Sequence, residues 1–305
     1  MNILTKTLAL VLGFAAIGQV PLRAQLAPVN ELGLSIGHMH VFPADREREA
    51  KAWLALGGQL EYNLSNNIPI GFPGIIILIG NPRPANLGSS GSVIDHVAFR
   101  VPNLDTTVTR IKGAQTWWKN GTWGWTIEPG ATATQAFATS PGGIKVEILE
   151  DKSLKAPIVF DHVHYYTEAA RLKPMEDYFA EMFGAKPVTG KADTLSMPGG
   201  NLVFSKSEMA PLPTTGRTLD HVGFNMLTAE ALAAYSKVME EKGAKMDRPY
   251  APASMGMTHL VTDFGTNIEV TKAQNAYFDP KLLDKGYYLM DEGGRKEGEK
   301  PTYKR

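Results

Sequence analysis

The segment that decides the fold is Asp161-His162-Val163-His164-Tyr165-Tyr166, because variants of it recur along the chain. The sequence contains seven histidines, and six of them lie in four short segments of this kind. The other three segments are His38-Met39-His40-Val41-Phe42, Asp95-His96-Val97-Ala98-Phe99 and Asp220-His221-Val222-Gly223-Phe224. A segment that recurs in this way predicts a repeated structural unit.

The four segments are regularly spaced. The first histidines of the first and third segments are 124 positions apart, and those of the second and fourth are 125 positions apart. Two carboxylates follow the same period, since Glu147 and Glu269 are 122 positions apart. The chain is therefore predicted to consist of two homologous halves, each made of two modules.

The overall composition limits the classes of partner and site. The formal net charge is zero and the isoelectric point is about 7.1, so no basic surface is expected to hold nucleic acid or an anionic membrane. The sequence has no cysteine, which excludes disulfides and thiolate metal ligands. Any metal must be held by histidine, aspartate or glutamate side chains.

The chain divides into four stretches. An apolar run at Leu8–Gly18 and a possible cleavage site after Ala24 indicate a secretory signal peptide over residues 1–25, so a bacterial protein that is periplasmic or secreted is expected. An uncleaved anchor is the alternative, although the run is too short to cross a bilayer. The remaining predicted stretches are an amino-terminal domain of two modules at 32–151, a carboxy-terminal domain of two modules at 158–272 and a polar tail at 275–305.

Each module is predicted to contain a strand, a helix and then several strands. The helices are expected at about 44–56, from 105 to about 112, near 169–183 and at 228–243. Gly57-Gly58 ends the first helix, and Gly184 ends the third.

Side chains two positions apart share a face of a strand, so the histidines lie opposite the apolar side chains of their strands. Glu147 and Glu269 likewise alternate with flanking apolar residues. A single histidine on a strand is usually structural, but four in the same register with two carboxylates indicate a site. Two imidazoles and a carboxylate suit a divalent metal such as Fe(II), Mn(II) or Zn(II). The alternative is that the repeats preserve the fold while the site in one half has decayed.

Modules whose first strands carry Asp-His-Val-x-Phe, and whose last strands place a glutamate after a glycine-containing turn, resemble the vicinal oxygen chelate superfamily. That group includes glyoxalase I, fosfomycin resistance proteins, bleomycin resistance proteins and type I extradiol dioxygenases. The resemblance covers about residues 32–272. It implies an α+β fold of four βαβββ modules that pair into two cupped mixed β-sheets, with the helices packed outside and one metal in a cup.

The resemblance also implies a set of metal ligands. Extradiol dioxygenases take a histidine from the first strand of each paired module and a glutamate from a last strand. Glyoxalase I takes an acid from both modules, but 75–79 and 201–204 offer none. The implied ligands are therefore His162, His221 and Glu269 in the carboxy-terminal half, and His38, His96 and Glu147 in the amino-terminal half.

Two positions depart from the extradiol pattern. These enzymes carry a tyrosine ten residues before the metal glutamate, where this chain has His259. They also place a histidine in a middle strand of the third module, where Asp193–Met197 has none. The resemblance is thus specific for the fold and for the metal-binding face, and weak for the reaction.

Three further histidines are candidates for roles beside the metal. His259 and His164 are candidate acid–base groups, and the alternative for His259 is a surface position. His40 and His164 share a face with His38 and His162, so they are alternative ligands, partners that orient the ligands, or acid–base groups. We favour the orienting role.

Four tryptophans crowd one short segment. One interpretation is that they wall a pocket for an aromatic or sugar-like substrate. Burial in the core or between the halves is the favoured interpretation, because aromatic side chains bury large areas. The four residues are Trp117, Trp118, Trp123 and Trp125.

The sequence therefore predicts an exported, metal-dependent enzyme that binds a small substrate through two adjacent oxygens. Its ligand pattern is most like that of an extradiol dioxygenase. A glyoxalase-like lyase or isomerase and a non-catalytic small-molecule binding protein remain the alternatives. Four modules in one chain can complete a cup without a second subunit, so both a monomer and a homodimer stay open.

Overall fold

The computed structural model describes residues 26–61, 67–84, 87–115, 124–251 and 256–272. The predicted leader at 1–25, the predicted tail at 275–305, and Trp117, Trp118 and Trp123 lie outside these residues. Among the described helices, none is long and apolar enough to cross a bilayer.

The described residues form four consecutive βαβββ modules, as predicted. Module one contains β1 (Ser35–Val41), α1 (Arg46–Leu56), β2 (Gln59–Leu60), β3 (Ile68–Phe72) and β4 (Ile75–Ile79). Module two contains β5 (Ile94–Val101), α2 (Leu104–Gln115), β6 (Thr126–Pro129), β7 (Gln135–Thr139) and β8 (Lys145–Glu150). Module three contains β9 (Val159–Glu168), α3 (Leu172–Phe183), β10 (Lys186–Pro187), β11 (Thr194–Met197) and β12 (Gly200–Ser207). Module four contains β13 (Leu219–Met226), α4 (Ala229–Glu241), β14 (Lys245–Arg248), β15 (Met257–Val261) and β16 (Asn267–Lys272).

Local sequence signals set the helix ends. The side chain of Asp45 accepts a hydrogen bond from the backbone N–H of Arg48 at 2.9 Å and so caps α1. Thr228 caps α4 in the same way. Gly57 and Gly184 end α1 and α3 in the left-handed conformation, which glycine adopts without a steric penalty.

The modules form two eight-stranded mixed sheets. Sheet A has the order β14-β15-β16-β13-β1-β4-β3-β2 and joins modules four and one. Sheet B has the order β10-β11-β12-β9-β5-β8-β7-β6 and joins modules three and two. We name the concave face of each sheet cup A and cup B.

This pairing corrects the prediction that each half of the chain would form its own sheet. The first half instead contributes one module to each sheet, and so does the second half. The repeat spacing does not discriminate between the two arrangements. Modules one and three are equivalent, as are two and four, so either pairing brings together the same types of strand.

Each sheet is centred on two antiparallel first strands, β1 with β13 and β5 with β9. His40 lies opposite His221 in sheet A, and His96 lies opposite His164 in sheet B. The last strands of the modules flank this pair in parallel. The histidines of two distant segments therefore meet at the centre of each cup.

The other faces of the sheets share one apolar core with the helices. Trp53 of α1 is fully buried and lies between Phe72 of sheet A and Phe99 of sheet B, with ring centroids 6.0 and 6.2 Å away. Glu49, one turn earlier, accepts hydrogen bonds from the Trp53 indole at 2.8 Å and from the Gly142 backbone at 2.7 Å. Burial raises the pKa of Glu49, which favours its neutral form.

The only one of the four clustered tryptophans that lies within the described residues belongs to this core. Trp125 is 4% exposed, and its indole donates to the backbone oxygen of Ala52 at 2.8 Å. Its ring lies 5.1 Å from that of Trp53. The core interpretation is therefore confirmed for Trp125.

Because Trp53 contacts both sheets, Trp53→Ala is expected to lower the free energy of unfolding by about 3–5 kcal/mol. Leu227→Ala is the control, since Leu227 is 53% exposed and its removal should cost less than about 0.5 kcal/mol. Urea unfolding followed by circular dichroism measures both. A Trp53 effect no larger than the Leu227 effect would contradict a core shared by the two sheets.

Candidate metal centres

Cup A gathers several imidazoles around one carboxylate. Nε2 of His221 lies 3.2 Å from Glu269, and Nε2 of His38 lies 3.7 Å from the same carboxylate. His40 joins them, and the candidate ligand atoms of these four residues all lie within 4.8 Å of one another. His38, His221 and Glu269 are buried.

Cup B has a similar arrangement, although Glu147 is not part of its group of mutually close ligand atoms. Nε2 of His162 lies 3.4 Å from Glu147, and Nε2 of His96 lies 3.6 Å from it. The candidate ligand atoms of His96, His162 and His164 lie within 4.8 Å of one another. The side-chain amide of Gln135 donates to the other oxygen of Glu147.

The structure brings every predicted ligand into one of these two clusters, but in different groups from those predicted. His221 and Glu269 meet His38, and His162 meets His96 and Glu147. The predicted sets were wrong in one respect. They grouped His162 with His221 and Glu269, and His38 with His96 and Glu147. The reason is the sheet pairing, because β1 lies beside β13 and β9 lies beside β5.

In three of the four modules, the first histidine of the first strand has an aspartate immediately before it that fixes its orientation. In each pair a carboxylate oxygen lies 2.7–2.8 Å from Nδ1 of the following histidine. An ionised carboxylate accepts from Nδ1–H, so the lone pair of a neutral ring is on Nε2 and faces the cup. A cation pairs with each aspartate in turn, giving Lys145–Asp95–His96, Arg100–Asp161–His162 and Arg83–Asp220–His221.

His38 lacks such an aspartate, since Gly37 precedes it. A Cβ atom at Gly37 would lie 2.2 Å from Oδ1 of Asn225, so no larger side chain fits there without a shift. Gly223 likewise makes room for the His38 ring, because a Cβ at that position would lie 2.1 Å from Cε1. Close packing therefore positions His38 where its counterparts use a hydrogen bond.

The buried nitrogen atoms fit a cation. Nε2 of His38 and Nε2 of His162 are buried and have no hydrogen-bond partner among the described residues. Each faces an ionised carboxylate and another imidazole nitrogen. Unpartnered buried polar atoms are costly, and a divalent ion would satisfy them together with the carboxylate.

His40 and His164 lie inside the clusters. Nδ1 of His164 is 3.0 Å from Nε2 of His96, and its Nε2 is 2.9 Å from the Ser205 hydroxyl. Nε2 of His40 is 3.4 Å from the amide oxygen of Asn67. Burial and neighbouring imidazoles lower the pKa of both rings to about 3, so both are neutral at physiological pH.

His259 lies in cup A rather than at an unrelated surface. It stands on β15 opposite Glu269, and its Nε2 is 3.2 Å from that carboxylate. The same position of cup B is Phe137, opposite Glu147. His259 thus has no histidine counterpart at the equivalent position of cup B.

No family model matches the sequence, and no curated protein matches it. Solved structures do match the fold. Glyoxalase I from Zea mays superposes with a TM-score of 0.58 at 16% identity, covering 84% of this chain and 97% of that one. A glutamate-to-glutamine variant of the maize enzyme gives a TM-score of 0.60 at 14% identity, covering 81% and 96%. A dioxygenase candidate from Bacillus subtilis gives 0.57 at 14% identity, covering 82% and 87%.

The chain has the vicinal oxygen chelate fold. At these identities the likeness establishes the fold, and the chemistry must be argued from the residues in the cups. Ile76 and Asn201 lie beside His38 and His162 on the last strands of modules one and three. Neither is an acid, which agrees with the ligand pattern of two histidines and one glutamate.

The two cups of this vicinal oxygen chelate fold differ in access. Cup B opens into a cavity of about 430 Å³, lined by His96, Gln135, Phe137, Glu147, Leu149, Asp161, His162, His164, Tyr166, Lys191, Thr194, Asn201 and Val203. In cup A the side chain of Leu26 packs on Ile76 and Leu78, which lie beside His38 and His40. Leu26 therefore covers part of the floor of cup A.

Sequence reasoning did not assign roles to several residues at these sites. The aspartates before the histidines were visible as a repeated Asp-His pair, and their orienting role could have been inferred from it. Gln135, Ser205 and Asn67 carried no sequence signal, because each reaches its partner across neighbouring strands or from a loop. Leu26 gave none either.

The charges in the cups follow from burial and neighbours. Burial alone would raise the pKa of Glu269, but the imidazoles of His38, His221 and His259 hold it well below its usual value. Glu147 is lowered in the same way to a pKa of about 2, chiefly by His96 and Gln135. Burial alone would lower the pKa of His221, but Asp220 and Glu269 raise it to about 9, so this ring carries a proton at pH 7.

This protonation makes metal affinity depend on pH. A histidine must be neutral to bind a metal, so an ion that enters cup A would displace the His221 proton below pH 9. Affinity for cobalt(II) is expected to rise by roughly tenfold per pH unit between pH 7 and 9 for each proton released. Calorimetry in buffers of different ionisation enthalpy counts the protons.

Asp220→Asn is the matched control, because it removes the carboxylate that raises the pKa of His221 and should move the rise in affinity to lower pH. The raised pKa of His221 also affects stability. Protonated His221 stabilises the metal-free protein below pH 6.5, and this contribution is lost as the pH passes 9. A cobalt(II) affinity that does not change between pH 7 and 9 would contradict the assignment of His221 as a ligand.

Proposed function

We propose that this protein is a metal-dependent enzyme that binds a small substrate through two adjacent oxygens, and that turnover takes place in cup B. The observation that carries the proposal is the convergence of His96, His162 and Glu147 on the floor of an open cavity. A cavity of about 430 Å³ is the size of a small-molecule site.

In cup B, His96, His162 and Glu147 would hold Fe(II), Mn(II) or Zn(II). Such an ion supplies Lewis acidity, which stabilises negative charge on a coordinated substrate oxygen. Asp95 and Asp161 hold the two imidazoles with Nε2 toward the cup. Gln135 holds the carboxylate, so the three groups are oriented before any ion arrives.

The walls of cup B suit a small, partly aromatic molecule with polar substituents. Phe137 and Tyr166 supply ring faces, and Tyr166 stacks on His164 with the centroids 4.8 Å apart. Asn201 and Lys191 supply hydrogen-bond donors on the opposite wall. A catechol or another compound with two neighbouring oxygens on a small ring fits this set of contacts.

Ring-cleaving oxygenation is the first candidate reaction, because the pattern of two histidines and one glutamate is that of the extradiol dioxygenases and neither β4 nor β12 offers a second acid. A lyase or isomerase reaction is the second candidate. It is favoured by His164, whose Nδ1 lies at the ligand nitrogen of His96. A neutral imidazole at that place takes up space beside the ion that a second reactant would need. It can also accept a proton there.

Cup A is proposed to hold an ion that stabilises the fold rather than one that turns over substrate. Leu26 covers its floor, and Ile76 stands where cup B has the polar Asn201. His259 belongs to this cup, so an acid–base role for His259 would require turnover there. We also propose that the enzyme is exported, as the signal peptide predicted at residues 1–25 indicates.

Glu147→Gln and Glu269→Gln form a matched pair, since the two positions are equivalent in the repeat. Each is expected to reduce the transition-metal content from two ions per chain to one, measured by elemental mass spectrometry. Only Glu147→Gln should abolish turnover, by at least about 100-fold. Activity is measured with catechols under air by oxygen uptake, and with α-hydroxythioester precursors without oxygen by absorbance.

Loss of activity in Glu269→Gln, with Glu147→Gln unaffected, would move catalysis to cup A and to His259. A protein that binds no transition metal after reconstitution would refute the metal-dependent function. Unchanged small-molecule affinity in both variants, without turnover, would support a binding role instead.

A further inference from the structure

We propose that His164 in cup B and His40 in cup A are themselves metal ligands, so that each cup holds its ion with three imidazoles and one carboxylate. This inference rests on the proposed metal binding and departs from the set of two histidines and one glutamate. It also replaces our sequence-based interpretation that these two rings orient the ligands from behind.

The argument begins with the two nitrogens of His96. Its Nδ1 is taken by Asp95, which lies 2.7 Å away. Its Nε2 faces the cup and is the nitrogen available to an ion. His164 contacts this second nitrogen, with its own Nδ1 only 3.0 Å away.

A residue that orients a ligand from behind must contact the nitrogen that does not bind the ion. His164 cannot have that role for His96, because Asp95 already occupies the outer nitrogen. His164 instead shares the space into which the lone pair of His96 points. Any ion bound by Nε2 of His96 is therefore next to Nδ1 of His164.

The spacing agrees with shared coordination. Two nitrogens bound to one ion at about 2.1 Å and at right angles are about 3.0 Å apart. The observed Nδ1–Nε2 distance is 3.0 Å. The outer nitrogen of His164 lies 2.9 Å from the Ser205 hydroxyl, which can accept its proton and leave Nδ1 with a free lone pair.

Cup A shows the same design with different partners. His40 belongs to the cluster whose ligand atoms lie within 4.8 Å, and its Nε2 faces the amide oxygen of Asn67. Its ring stacks on Phe42 with centroids 4.4 Å apart and planes 25° apart. His164 stacks on Tyr166 at the same 25° angle. An aromatic side chain two residues later thus fixes both rings.

The number of protein ligands bears on the reaction. Four protein ligands leave two positions on a six-coordinate ion, and two adjacent substrate oxygens would fill both. That arrangement favours the lyase or isomerase candidate over oxygenation, because no further position remains for a second reactant. Counting the imidazoles therefore helps to choose between the two reactions.

The experiment is extended X-ray absorption fine structure of the zinc-loaded full chain, in which imidazole rings are counted by their scattering. The wild type is expected to show three imidazoles per zinc, and the double variant His40→Ala/His164→Ala to show two. Ser205→Ala is the control that disturbs only the outer nitrogen of His164, and it should keep the count at three. Circular dichroism checks that each variant is folded.

A count of two in both the wild type and the double variant would overturn this inference and leave the proposed metal binding intact. A wild type that takes up no zinc would refute both. If the double variant does not fold, the wild-type count alone decides between two imidazoles and three.

Discussion

The antiparallel pairing of two first strands is the constraint on which the rest of this structure depends. It occurs twice, between β1 and β13 and between β5 and β9. Each strand alone carries histidines on one face and apolar residues on the other. Pairing two of them buries the apolar faces in one shared core and brings the histidine faces together. The strand pairing that forms the core therefore also assembles the site.

Bringing these groups together has an electrostatic cost, and the cups reduce it in two layers. Glu147 and Glu269 are buried carboxylates, which would be strongly unfavourable without partners. Imidazoles partner them on the inside. Behind three of the imidazoles, an aspartate and then a lysine or arginine continue the alternation of charge outward to the surface. The outer pairs hold the inner rings in one orientation, so the cup is organised independently of what binds in it.

Much of this could be predicted from the sequence, and the failures have two causes. The repeat fixed the number of modules, and the helices were predicted close to their observed bounds because capping residues such as Asp45 and Gly184 mark their ends. The ligand candidates could be named because alternation places His96 and Glu147 on the same face. Which modules pair could not be deduced, because that choice depends on packing between modules that have equivalent local patterns. The contacts that distinguish the cups, such as that of Ser205 with His164 and that of Leu26 with Ile76, do not depend on this pairing; they could not be deduced because they depend on how individual side chains pack.

The two cups show how one backbone design supports different sites. At three equivalent positions cup A has Ile76, Gly80 and His259, where cup B has Asn201, Ser205 and Phe137. In cup B, Asn201 lines the open cavity, whereas in cup A Ile76 and Leu78 give Leu26 a surface to pack on. The candidate ligands occupy equivalent positions in the two cups. Duplication would thus allow one cup to close around an ion while the other keeps room for a substrate, which a single site could not do.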